Sequence, residues 1–180
     1  MNKTLAILGE LSDRDLDWII ANGQQQQLES GMVLITEGQL IEALYIVLDG
    51  TLVASVAALG NREVATLGIG EVIGEMSFVD GRMPSATVTA KEPCLVLSVP
   101  REKLSEKLEW DALFSLRFYR AVSKFLSYRL RNTVTQFGQQ KPLASETNSS
   151  TTEIEQSLDE DGYRFREIIQ RLRGEYVVPT

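Results

Sequence analysis

Between Gly31 and Pro100 the apolar residues fall into short runs with a repeat near two, and glycines interrupt them every few positions. On either side of that stretch the repeat is helical. This switch and return constrains the chain more than any other feature, because a middle made of many short strands must be closed by turns and flanked by helices. Residues 32–36, 43–48, 51–57, 63–67, 85–90 and 94–99, rich in β-branched and apolar side chains, predict six strands. Asp49-Gly50 predicts a hairpin turn between two of them, and Gly60-Asn61 a second. Strands this short and this closely punctuated predict an antiparallel β-roll of the jelly-roll kind, hence an α+β chain.

Residues 1–30 predict a helical segment, with Leu5, Leu8, Leu11, Leu16, Ile19 and Ile20 at helical spacing and Ser12, followed by Asp15, as its N-cap. Gln24 to Gln27 reads as a solvated helix end or loop. After the roll at 31–100, residues 101–138 predict a short amphipathic helix and then a long one from Trp110 to Phe137. Two stripes run along the long helix. Phe114, Phe118, Ala121, Phe125 and Tyr128 form one; Tyr119, Val122, Leu126 and Leu130 form the other, and together they are wider than a one-sided surface helix needs. The first stripe is expected on the roll and the second in a two-fold helix pair with another copy; the alternative is that both stripes pack on the roll. Residues 139–180 predict a flexible tail, polar and rich in Ser and Thr to about 159, with a short helix at 163–173 that either folds back or docks on a protein partner.

Composition excludes several classes of function. A net charge of −7 disfavours a nucleic-acid surface. The chain has no histidine and pairs no nucleophile with a base, so neither an enzyme nor a metal site is expected. Its one cysteine, Cys94, sits in an apolar run and reads as a buried small hydrophobe. With no apolar run near the ~20 residues of a membrane span and no basic-then-apolar start, a cytoplasmic protein is expected.

The stretch from Gly70 to Ala90 carries the chemistry. Gly70 and Gly74 are four apart, Glu75 follows at once, and a short apolar turn leads to a hydroxyl-bearing strand, so free backbone N–H groups and a helix start could face an anion. This segment resembles the phosphate-binding cassette of cyclic-nucleotide-binding domains, the sensor domains of catabolite activators and of protein kinase A regulatory subunits. Gly31, Leu34, Glu37-Gly38, Leu44-Tyr45, Val47 and Gly50 fall in the order of that family's first strands, and the resemblance covers about residues 10–137.

The resemblance implies a roll with an N-terminal helix, a short cassette helix and a long C-terminal helix that dimerises. It also implies that Glu75 accepts a hydrogen bond from a ribose hydroxyl, with Gly74 and Met76 beside it and Ser85 and Ala86 near the phosphate. Nine positions after Glu75, where the family carries its phosphate-binding arginine, this chain has Pro84. Losing a hydrogen bond to a charged group costs about 1.5–3 kcal/mol and an unpaired buried anion a few more, so affinity falls by one to three decades. Arg82 either reaches in or stays solvated, and without a ligand Glu75 would cap its own helix.

The expectation is therefore a regulatory sensor module without its own output domain. It has no cofactor beyond a weakly held cyclic nucleotide, cyclic AMP or cyclic GMP. The alternative is a ligand-free, homodimeric protein-interaction module. A DNA-binding regulator of the catabolite-activator type is not expected, since residues 139–180 are too few and too polar for a helix-turn-helix domain.

Overall fold

The computed structural model describes residues 8–138 and 158–175, with side chains over 8–131 and 163–175. All six expected strands form: β2 (Val33–Ile35), β3 (Ala43–Asp49), β4 (Leu52–Val56), β5 (Arg62–Leu67), β7 (Thr87–Ala90) and β8 (Cys94–Pro100). Two more join them, β1 (Gln24–Leu28) and β6 (Val72–Ile73). Two four-stranded sheets result, ordered β1-β8-β3-β6 and β2-β7-β4-β5, and every pairing is antiparallel. The helices are α1 (Asp13–Asn22), α2 (Glu75–Asp80), α3 (Arg101–Trp110), α4 (Ala112–Gly138) and α5 (Leu158–Arg173). The expected β-roll with flanking helices is the fold.

Alternation explains why β3 and β8 look apolar on both faces. Val47 and Val96 point between the sheets, into a core with Leu52, Leu67 and Val88. Their neighbours Ile46, Leu48, Leu97 and Val99 point outward, into a second core with α1, α4 and α5. Covered on both sides, this sheet needs apolar residues at every position.

The glutamine run is not a helix end or loop. Its backbone pairs with β8 in the register Gln24↔Ser98 to Leu28↔Cys94, because β8 offers an open edge that four polar side chains can close while staying in solvent. The helical part of 1–30 accordingly ends at Asn22, although Ser12 caps it as expected: its hydroxyl accepts from the Asp15 N–H, and the Asp15 carboxylate accepts from the Ser12 N–H at 2.8 Å.

Asp49-Gly50 is not a hairpin either. Strand β3 lies in one sheet and β4 in the other, so the turn carries the chain across the roll. Gly50 has φ +80 and packs so tightly that an added Cβ would lie 2.6 Å from the Pro93 carbonyl oxygen. Gly60-Asn61, both residues with positive φ, ends the hairpin connection from β4 to β5, which runs over 57–61 and opens with a 3-10 turn at Ala57–Leu59, so it is longer than a two-residue primed turn. Cys94 is buried and unpaired, as expected.

On α4 the first stripe is core as far as Phe125: Phe114, Phe118, Ala121 and Phe125 are buried against the outer sheet face and α1, while Tyr128 is half-buried. The second stripe divides. Val122 is 1% exposed inside the same core, so it is removed from the expected dimer face; Leu126 is half-buried, while Tyr119 and Leu130 stay exposed with Leu113 and Leu116. Val122 directly follows Ala121, and a stripe this wide lets both flank one seam.

Helix α5 begins at Leu158, earlier than 163, and in place of a loose tail the described part of 139–180 is docked. Ile168, Ile169 and Leu172 are buried in the outer core, and α5 packs on α1 and β3. Gln25 Nε2 donates to the Arg173 carbonyl at 3.0 Å, and Arg173 Nε donates to the Leu48 carbonyl at 3.0 Å, which fasten its C-terminal end. The predicted polar segment at 139–157 lies outside the described residues.

Candidate functional site

Strand β6 ends at Ile73, and Gly74 turns the chain into α2 with φ +92. Glycine suits this turn because the conformation is left-handed, and an added Cβ would also press on the tip of the Ile41 side chain. The turn presents Glu75 as the first residue of α2 and buries it to 2% exposure. Beyond α2 the loop is pinned where the Gly38 N–H donates to the Pro84 carbonyl at 2.9 Å, and the Glu37 N–H donates to Thr87 Oγ1 at 3.1 Å.

A cavity of about 330 Å³ opens between α2, this loop and the inner faces of the strands. Its walls are mostly apolar, from Ile35, Ala54, Leu67, Ile73 and Val88. All six residues singled out in the sequence, Gly74, Glu75, Met76, Arg82, Ser85 and Ala86, line it. Pro84 lines it too and brings no charge. Arg82 belongs to the rim, with its side chain 86% exposed and 3.9 Å from the Asp80 carboxylate.

Among the lining residues not singled out in the sequence, one is charged and comes from α4. Arg129 of α4 reaches into the cavity, its Nη1 donating to Glu75 Oε1 at 3.1 Å and its guanidinium stacked 4.4 Å over the Phe125 ring. A signal was present, since Arg129 lies four residues after Phe125 and so on the same side of the helix. A cation beside a buried stripe needs a partner, but nothing in the sequence says it is Glu75.

Burial is the strongest influence on Glu75 and pushes its pKa above the ordinary 4.5. The Arg129 charge and hydrogen bonds from the Gly74 and Glu75 N–H groups oppose it without cancelling it. Glu75 lies in the first turn of α2, where the helix dipole favours a carboxylate, and its carboxylate oxygen Oε1 accepts from Arg129. The arrangement can accept hydrogen bonds from a hydroxyl-bearing guest at Glu75, offer a guanidinium next to it, and take a ring against the apolar wall. Among the described residues no cluster of His, Cys, Asp and Glu could hold a metal, and no helix is long and apolar enough to cross a membrane.

Residues 25–111 match the model of the cyclic nucleotide-binding domain, and the chain carries a domain of that family. It is 33% identical over 94 residues to the cyclic AMP receptor protein of Thermus thermophilus, covering 51% of this chain and 44% of that one. With the cGMP-dependent protein kinase of Eimeria tenella it shares 34% over 83 residues, 46% of this chain but 8% of the kinase. The chain thus spans less than half the length of these relatives.

Among solved structures, the Thermus thermophilus catabolite activator protein superposes with a TM-score of 0.60 at 27% identity, covering 74% of this chain and 62% of that one. The regulatory domain of Toxoplasma gondii PKA, solved with cAMP, gives 0.53 at 29%, covering 58% and 41%. A cyclic nucleotide-binding domain from Methylobacillus flagellatus gives 0.66 at 20% identity, covering 78% and 85%, a likeness of fold. The family is regulatory, not itself catalytic.

Proposed function

We propose that this chain is a regulatory sensor module whose cavity takes a cyclic nucleotide, cyclic AMP or cyclic GMP, only weakly, and whose α4 helix reports occupancy within a homodimer. The carrying observation is that Glu75, inside the cavity, is bonded to Arg129 of α4. A ribose hydroxyl donating to Glu75 competes with Arg129 for the same carboxylate, so a guest acts directly on the helix. The Toxoplasma neighbour, solved with cAMP, supports the ligand class.

Weakness follows from charge. At Pro84 there is no cation for a phosphate, Arg82 faces solvent, and Arg129 is already engaged. Relative to a cavity with an arginine at 84, this costs the one to three decades estimated above. No catalytic role is assigned to any residue. Pro84 also favours a second reading, a ligand-free module that acts through protein contacts of its α4 face and its C-terminal part.

Calorimetric titration of three proteins tests this. The wild type should bind cyclic AMP and cyclic GMP with dissociation constants well above micromolar. Pro84→Arg should bind one to three decades more tightly, since the carbonyl that accepts from Gly38 is retained, and adding Glu75→Ala should remove much of the gain. Micromolar binding by the wild type would refute the weak-ligand reading; no binding by Pro84→Arg would leave the ligand-free module.

A further inference from the structure

Three aspartates at alternate positions of α1, in Asp13-Arg14-Asp15-Leu16-Asp17, face two different helices. Asp15 is buried and takes both teeth of the Arg117 guanidinium from α4, at 2.5 and 2.9 Å. Asp13 and Asp17, one turn apart, share Arg171 of α5 at 2.9 and 2.8 Å. Immediately before α1, Glu10 pairs with Arg120 at 3.1 Å and with Lys124, so α4 holds the N-terminal segment at three of its cations.

Helix α1 contributes no strand hydrogen bonds and has ten residues, too few to be stable alone. Its position is set by what it packs against. Helix α5 in turn packs on α1 and β3, and lies outside the matched region 25–111.

We propose that α1 couples α4 to α5, so that the docking of α5 depends on the Asp15–Arg117 contact although α5 touches neither residue by any ion pair. The two-state element is α5, docked or released; the two sites that bias it are the α1–α4 contact and its own Arg171 clamp. Release would bare the apolar edge of Ile168, Ile169 and Leu172 and the acidic rim of α1 together. Arg171 is 16% exposed while its partners are 79% and 68% exposed, so this clamp orients α5 and the buried side chains hold it. Moving α1 disturbs both. No nucleotide is required, so the inference stands apart from the proposed ligand.

Amide hydrogen exchange on the full chain tests the coupling, comparing residues 163–173 with the β8 amides of Leu95 to Val99. In Arg117→Gln the α5 amides should exchange about 5- to 100-fold faster, with the β8 amides unchanged. Arg117→Lys keeps the charge and loses the two-toothed grip, so it should fall between wild type and Arg117→Gln; it decides the matter alone should Arg117→Gln not fold. Combined with Arg171→Gln, the effect of Arg117→Gln should shrink, because one of the two contacts through which α1 acts on α5 is gone. Unchanged α5 exchange, or acceleration shared equally by β8, would overturn the proposal.

Discussion

Leu172→Ala is the sharpest test of how the C-terminal helix is used. Leu172 is 2% exposed and sits with Ile168 and Ile169 in the core formed by the outer sheet face, α1 and α4. Truncating a buried leucine to alanine costs about 2–5 kcal/mol, the lost transfer energy plus the cavity left behind. At ~2–4 °C per kcal/mol for a chain of this size, a central loss of about 3 kcal/mol lowers the melting temperature by ~9 °C. Tyr163→Ala, on the same helix but 75% exposed, should change stability by less than about 0.5 kcal/mol. Thermal denaturation followed by circular dichroism reads both. If Leu172→Ala melts with the wild type, α5 is not part of the core in solution and everything built on its docking fails.

Two more outcomes are expected. Light scattering at micromolar concentration should give twice the chain mass, and Leu116→Glu with Leu130→Glu, both on the exposed α4 face, should give a monomer with an unchanged melting temperature; a monomeric wild type would remove the proposed helix pair. For Asp15, burial is the largest single influence and pushes the pKa up, but the bonds from Arg117 and Ser12 together outweigh it and hold it below 3.8. A carboxylate with a lowered folded pKa adds stability that is present above 3.8 and disappears as pH falls through the folded value. Asp15→Asn should therefore melt below the wild type at pH 7, with the gap closing below about pH 4; a gap independent of pH would show that the carboxylate charge is not what matters.

The strands and the cassette were legible because their signals are local. A period of two, a glycine before Glu75 and a Ser12–Asp15 capping pair each need only neighbouring residues. What stayed hidden depends on distant partners. Gln24 to Gln27 forms a strand only because β8 has an edge to fill, and Asp49-Gly50 looks like a hairpin until the next strand turns out to pair elsewhere. Residues 139–180 are polar enough to read as loose, and α5 docks because an apolar face at 168, 169 and 172 meets one already present on the roll. Val122 could not be sorted from Tyr119 without knowing how α4 is rotated on the sheet. Arg129 needed two facts at once, the burial of Glu75 and the path of a helix more than fifty residues later.

The Glu75–Arg129 pair makes the working unit larger than its outline. The matched region ends at 111, before the helix that supplies Arg129 has begun, yet Glu75 depends on that guanidinium for its charge balance. Residues 25–111 transplanted into another scaffold would keep every cassette residue and lose the counter-ion. The Arg129 charge is the strongest influence that lowers the Glu75 pKa, so without it a carboxyl that stays buried binds its proton more tightly than in the whole chain. Shortening the chain anywhere ahead of Arg129 thus changes the chemistry of a residue that the cut never touches.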